Sequence, residues 1–192
     1  LRRVKRILPA LFFTIALSIP FAFWLLTPKA MNEYLDSTIA SLFFYANYYF
    51  MNLEFYIAES TKVMPFLHTW SLAIEEQYYI LFPVFAYFIF KNLNKYFTSV
   101  IISLFFMSIF ITILSEEVNK FYQLQFRLWE LLLGVLVMIV SSNIKIYHLE
   151  KIGLPLMLIP IFYFNDTDIN QIEPKLIALT GVALIIFSNT NE

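Results

Sequence analysis

The chain has no cysteine, three glycines and little charge. Without cysteine there is no disulfide and no thiolate zinc site. Three glycines leave no glycine-rich phosphate loop. The two histidines, His68 and His148, lie far apart and offer no metal-ligand spacing, so no metal ligand is assigned. Charged residues are 14% of the 192, and the formal net charge is −1, so no bulk field points to nucleic acid. What fills the chain instead is apolar: 60% hydrophobic, 19% aromatic, mean hydropathy +0.70. An ordinary soluble domain is about a quarter charged. These numbers predict an all-α, polytopic helical membrane protein, because a soluble helical core needs far more charge on its outer faces. No signal peptide, internal repeat or low-complexity segment is visible. The chain opens on Leu1 and stops just after an apolar run, which reads as an internal piece of a longer protein.

Charge at the helix ends orders the topology. Arg2, Arg3, Lys5 and Arg6 precede a first span over 7–26 and place its start on the cytoplasmic side. Further spans are expected over 71–90, 98–114, 122–140, 152–164 and 176–187, about six in all; the first, 7–26, is long enough to cross a ~30 Å hydrocarbon core, and 152–164 is short, with Pro155 and Pro160. Lys91 and Lys95, then Lys145, His148 and Lys151, fall inside; the acidic loop holding Asp166 and Asp168 falls outside and reads as wet rather than metal-binding. Between Pro28 and Trp70 the charge logic requires an even number of crossings. Zero fits best, so 34–56 is expected to lie in or on the outer half of the protein. Pro83 is expected to kink its helix.

Two polar stripes stand out. At about 100° per residue, His68, Ser71, Glu75, Tyr78, Tyr79 and Phe82 share one face of the second span, with Glu76 turned aside. In the fourth span Gln123, Arg127, Glu130 and Gly134 share a face. Ionisable groups at membrane depth cost roughly 2.5–3.5 kcal/mol each on insertion scales, so they are expected to pair, to line a wet cavity, or to do chemistry. One arrangement pairs Arg127 with Glu75; another satisfies Arg127 and Glu130 by each other at i, i+3. Thr69 or Ser71 are alternatives for a helix cap, leaving Glu75 and Glu76 as early-turn acids. Trp24, Trp70 and Trp129 suit interfacial anchors, the last two alternatively substrate platforms. His68 is either a tether for the preceding loop or a proton carrier.

Three stretches resemble the acyltransferase 3 family of integral membrane acyltransferases, which includes O-antigen acetylases and peptidoglycan O-acetyltransferases. Arg2-Arg3-Val4-Lys5-Arg6-Ile7-Leu8-Pro9-Ala10 is similar to the family's basic entry to an early helix. His68-Thr69-Trp70-Ser71-Leu72-Ala73-Ile74-Glu75-Glu76-Gln77-Tyr78-Tyr79 is similar to its long signature. Phe126-Arg127-Leu128-Trp129-Glu130-Leu131-Leu132-Leu133-Gly134 resembles a later helix, and Asn47-Tyr48-Tyr49-Phe50 a turn before the signature.

The resemblance implies a roughly ten-helix bundle around a central polar cavity, of which residues 1–192 supply a part. It implies transfer of an acyl group, usually acetyl from acetyl-CoA, to a hydroxyl of an envelope carbohydrate, by a multi-pass protein of the inner membrane. Acetyl-CoA is a substrate here, not a resident cofactor, and the other partners are the carbohydrate acceptor and the bilayer. The family's first catalytic helix, carrying an Arg and a His, is expected before Leu1, so residues 1–192 alone are expected to be inactive. Candidate catalytic residues are Glu75, Arg127 and His68; candidate substrate-binding residues are Glu76, Glu130, Trp70, Ser71 and Tyr79. A transporter or flippase of an envelope glycan precursor is the competing class, since buried charges also mark substrate pathways. A purely structural membrane protein is the third.

Overall fold

A computed structural model describes residues 2–56, 65–115, 120–141, 148–164 and 172–189. The outer-loop residues 116–119, Lys145 and the loop with Asp166 and Asp168 lie outside the described residues. Eight α-helices and no strand occur among the described residues: α1 (Arg2–Leu25), α2 (Pro28–Leu42), α3 (Ala46–Tyr56), α4 (Thr69–Leu93), α5 (Phe97–Leu114), α6 (Leu124–Ser141), α7 (Glu150–Tyr163) and α8 (Ile172–Asn189). Short 3₁₀ turns, Asn94–Tyr96 and Lys120–Tyr122, precede α5 and α6.

Lys5–Leu25, Thr69–Leu114 and Leu124–Ser141 are long and apolar enough to cross a membrane, and the second of these holds both α4 and α5. The chain is an all-α membrane protein. Its outer faces show it: Phe13, Phe23 and Trp24 are exposed, Trp24 to 83%, as expected of side chains bathed in lipid or seated at its interface. Of the six expected spans, α7 has 14 residues, about 21 Å at 1.5 Å per residue, short of the core thickness.

The chain divides into two compact units, Leu1–Ile80 and Leu81–Glu192, with α4 running through the boundary. In the first, Thr27 caps α2 by accepting the N–H of Ala30, and Pro28 sits in the first turn, where its missing N–H is harmless. At 15 and 11 residues, α2 and α3 are too short to cross, in keeping with the expectation for 34–56. Tyr34 joins α2 to α1 through a 2.8 Å hydroxyl contact with Ser18.

The turn between α2 and α3 offers a backbone acceptor to α4. Within it Phe44 takes a left-handed backbone, φ 55°, a place usually given to glycine. Its N–H bonds to the carbonyl of Ser41, and that of Tyr45 to Ala40, closing the helix end in a Schellman pattern.

In the second unit α5 packs on α6, and α7 on α8, which also touches α6. Gly153 and Gly181 let α7 and α8 meet backbone to backbone. A Cβ on either would stand 2.6 Å from the other's carbonyl oxygen, as at small-residue crossings in membranes. Between α5 and α6 the Ser108 hydroxyl donates to the carbonyl of Gln125 at 2.7 Å and accepts the N–H of Trp129 at 3.1 Å. It thus bridges an i, i+4 pair of α6. Thr112 donates to Ser108 and Phe126 carbonyls one turn further on.

Candidate functional site

The signature stretch begins with a turn, 65–68, in which Phe66 is also left-handed, φ 65°, its ring tilted against Tyr34 at 5.8 Å. The hydroxyls of Thr69 and Ser71 donate back to the carbonyls of Phe66 and His68. Neither accepts an N–H as a helix cap among the described residues, so the capping alternative does not hold. Thr69 lies 2.6 Å from the hydroxyl of Ser41 on α2. The turn is thereby fastened, while His68 itself stays exposed.

Gln77 fixes the rotation of α4. Its amide donates at 2.9 Å to the carbonyl of Phe44 and at 2.9 Å to Oδ1 of Asn47, which is fully buried. Glu75, two residues back and about 160° round the helix, is therefore turned out and exposed, whereas Glu76, about 100° round, is turned in. Glu76 is 7% exposed, and its Oε1 has no hydrogen-bond partner among the described residues. The expected stripe centred on Glu75 is thus inverted: the buried carboxylate is its neighbour. Trp70, Ser71 and Tyr79 are half-buried and Tyr78 is buried.

A cavity of about 280 Å³ lies within the second unit, lined by residues of α5, α6, α8 and the 3₁₀ turn before α6. Arg127 and Glu130 stand in its wall. Nε and Nη2 of Arg127 both reach Oε2 of Glu130, at 3.0 and 2.7 Å. The i, i+3 pairing is thus formed, a charge-assisted contact on one carboxylate oxygen. Lys120 donates to the carbonyls of Thr112 and Ser115 at 3.2 and 3.4 Å. Lys175, in the first turn of α8, points to the same space, with Glu173. Burial pushes the Lys175 ammonium below its usual range; Glu130 opposes this, and Arg127 and Lys120 add to it.

Trp129, a candidate for the interface or for a substrate contact, is 1% exposed. Its indole N–H donates to the carbonyl of Phe126 at 3.1 Å, and it forms part of the cavity wall. The anchoring of the α6 opening turn by Ser108 is what turns this ring inward. Gly134 stays exposed, with open space where a Cβ would stand.

Sequence reasoning named Arg127 and Glu130 but missed Lys120, Lys175 and Gln77. For Gln77 the signal was the signature itself; for the lysines it was their position at helix ends where the topology expects few cations.

Against curated proteins, the chain is 31% identical over 142 residues to "O-acetyltransferase OatA" of Staphylococcus aureus (strain NCTC 8325 / PS 47), covering 71% of this chain and 23% of that protein. It is 28% identical over 190 residues to a Staphylococcus aureus (strain COL) protein named "Putative O-acetyltransferase SACOL0978", covering 90% of this chain and 31% of that one. A further protein of strain MSSA476, "Putative O-acetyltransferase SAS0844", matches to the same extent. The chain spans about a quarter to a third of the length of these relatives. No family model and no solved structure matches it. These similarities point to an acetyltransferase family.

Proposed function

We propose that the full-length protein containing this chain is a multi-pass acyltransferase of the inner membrane that transfers acetyl from acetyl-CoA to a hydroxyl of a cell-envelope carbohydrate. The observation that carries this reading is the similarity to proteins named O-acetyltransferases over 71% and 90% of the chain. The cavity beside Arg127 supports it chemically.

In this reaction the acceptor hydroxyl attacks the thioester carbonyl, loses its proton to a base, and the CoA thiolate leaves. The negative charge that grows on the carbonyl oxygen is the main barrier, and a fixed donor aimed at it lowers that barrier. Arg127 is the candidate donor. Glu130 holds the guanidinium on one edge, so the cation is oriented before substrate arrives. Within the first unit, His68, exposed just before α4, and Glu75, exposed on α4, are candidate catalytic residues. Glu76, Trp70, Ser71 and Tyr79 are candidate substrate contacts on the same helix.

Membranes containing the full-length protein, incubated with acetyl-labelled acetyl-CoA, are expected to move label onto glycan. Label that stays off glycan overturns the reading. Glu75→Gln is expected to abolish transfer at unchanged membrane levels; wild-type activity in that variant removes Glu75 from the site.

A further inference from the structure

We propose, resting on the function above, that the cavity between α6 and α8 holds the carboxylate or phosphate of an acidic acceptor glycan, with Lys175 as the principal contact and Lys120 beside it. The second unit has seven basic residues: Lys91, Lys95, Lys120, Arg127, Lys145, Lys151 and Lys175. Four lie in sequence stretches that the charge pattern is expected to place inside. All three of the others, at the opposite end, line this one cavity. The rule that concentrates cations in cytoplasmic loops does not account for them.

Stability does not account for them either. Arg127 and Lys175 stand in the first turns of α6 and α8, where the helix dipole disfavours cations. Both amino-terminal turns add positive potential to the same space. The carboxylates do not cancel it: Glu130 is engaged by Arg127, and Glu173 is exposed. Lys175 makes no hydrogen bond or ion pair among the described residues, although it is largely taken out of water. Lys120 has three N–H donors and directs two at carbonyls, leaving one. An anion entering here meets two ammonium groups with donors to give. The aromatic rings of Phe121 and Trp129 provide an apolar wall beside it, suited to the ring of one sugar unit. At about 280 Å³ the space fits a single charged residue, not a polymer segment. Coenzyme A is supplied from the cytoplasm, so an anion held at this outer end belongs to the acceptor.

The test is binding of three probes of equal length to the purified full-length protein: a glucuronate oligosaccharide, a glycerol-phosphate oligomer and a neutral glucose oligosaccharide. At least one charged probe is expected to bind about tenfold tighter than the neutral one, with the advantage shrinking as salt is raised. Whichever charged probe binds tighter identifies carboxylate or phosphate as the group recognised. Lys175→Ala is expected to remove most of that preference, and Lys175→Arg to retain it. Lys120→Ala, expected to cut the preference about threefold, replaces the first variant should Lys175→Ala fail to fold. Equal affinity for charged and neutral probes, or a preference that survives both lysine-to-alanine changes, overturns the proposal. Acetyl transfer without charge preference sinks this inference alone; a lysine-dependent preference without acetyl transfer sinks the proposed reaction alone.

Discussion

The turn region of Leu1–Ile80 and the cavity of Leu81–Glu192 both collect polar side chains, and they use them in opposite ways. Around Phe44, Asn47, Thr69 and Gln77, donors and acceptors meet one another at 2.6–2.9 Å, and the network holds a backbone in place. Among the described residues lining the cavity, the cations Lys120, Arg127 and Lys175 outnumber the carboxylates and face open space. The lesson concerns where a conspicuous motif acts. Much of the signature stretch builds the entry to α4, while the less conspicuous cations at the ends of α6 and α8 form the electropositive hollow.

That contrast is sharpest in what substitutions do. Arg127→Ala is expected to reduce acetyl transfer about 10²–10³-fold, the loss typical of removing one donor to a developing oxyanion, with membrane levels of the protein retained. Activity within threefold of wild type breaks the contrast from the second unit's side.

Gln77→Leu removes the donor to the Phe44 carbonyl and to Oδ1 of the buried Asn47. It is expected to destabilise by about 1–3 kcal/mol, read as a lowered thermal midpoint in detergent. Gln77→Leu with unchanged stability and lost transfer would place Gln77 in chemistry and erase the distinction.

Phe44 gives a finer probe of the same turn. Its φ of 55° is poorly suited to a β-branched side chain, so Phe44→Val is expected to be less stable than Phe44→Asn by about 1–2 kcal/mol. Equal stabilities would mean that the turn is not held left-handed.

The mildest effect is expected at the far end of the second unit, where Ser188 donates to Glu150 and joins the ends of α7 and α8. His148, 74% exposed, stands 3.6 Å from the same carboxylate. The Ser188 hydrogen bond is the largest cause holding the Glu150 carboxyl below its usual 4.5. A lowered folded pKa contributes stability that is present above 4.5 and lost as pH falls through the lowered value. Ser188→Ala is expected to lower the thermal midpoint above about pH 4.5 and to leave it unchanged at the acid end, so that the acid limb flattens.

The helices themselves were legible in the sequence. Apolar runs bounded by Lys91, Lys95 and Pro28 mark α1, α4, α5 and α6 to within a few residues. The shortness of α2 and α3 agrees with the charge placement, which left no crossing for 34–56. The contact of Arg127 with Glu130 was one of two readings that helical spacing allowed. The inversion of Glu75 and Glu76 was not legible. It is decided by Gln77 reaching a carbonyl more than thirty residues away, and by a phenylalanine in a conformation that its type argues against. The burial of Trp129 was hidden for a like reason, since a hydroxyl on another helix orients its turn. Lys175 escaped notice because periodicity describes one helix at a time, and the cavity it faces is walled by α6 as well.

The hydroxyl of Ser108 has a consequence for how this protein is made. The opening turn of α6 is completed by an atom that α5 supplies. Leaving the translocon singly, α6 would carry its first polar groups into lipid unshielded; leaving as a hairpin with α5, it brings their shield along. Paired release of these two helices is therefore the route their chemistry favours, and biogenesis of the hollow beside Arg127 begins with a serine that never touches it.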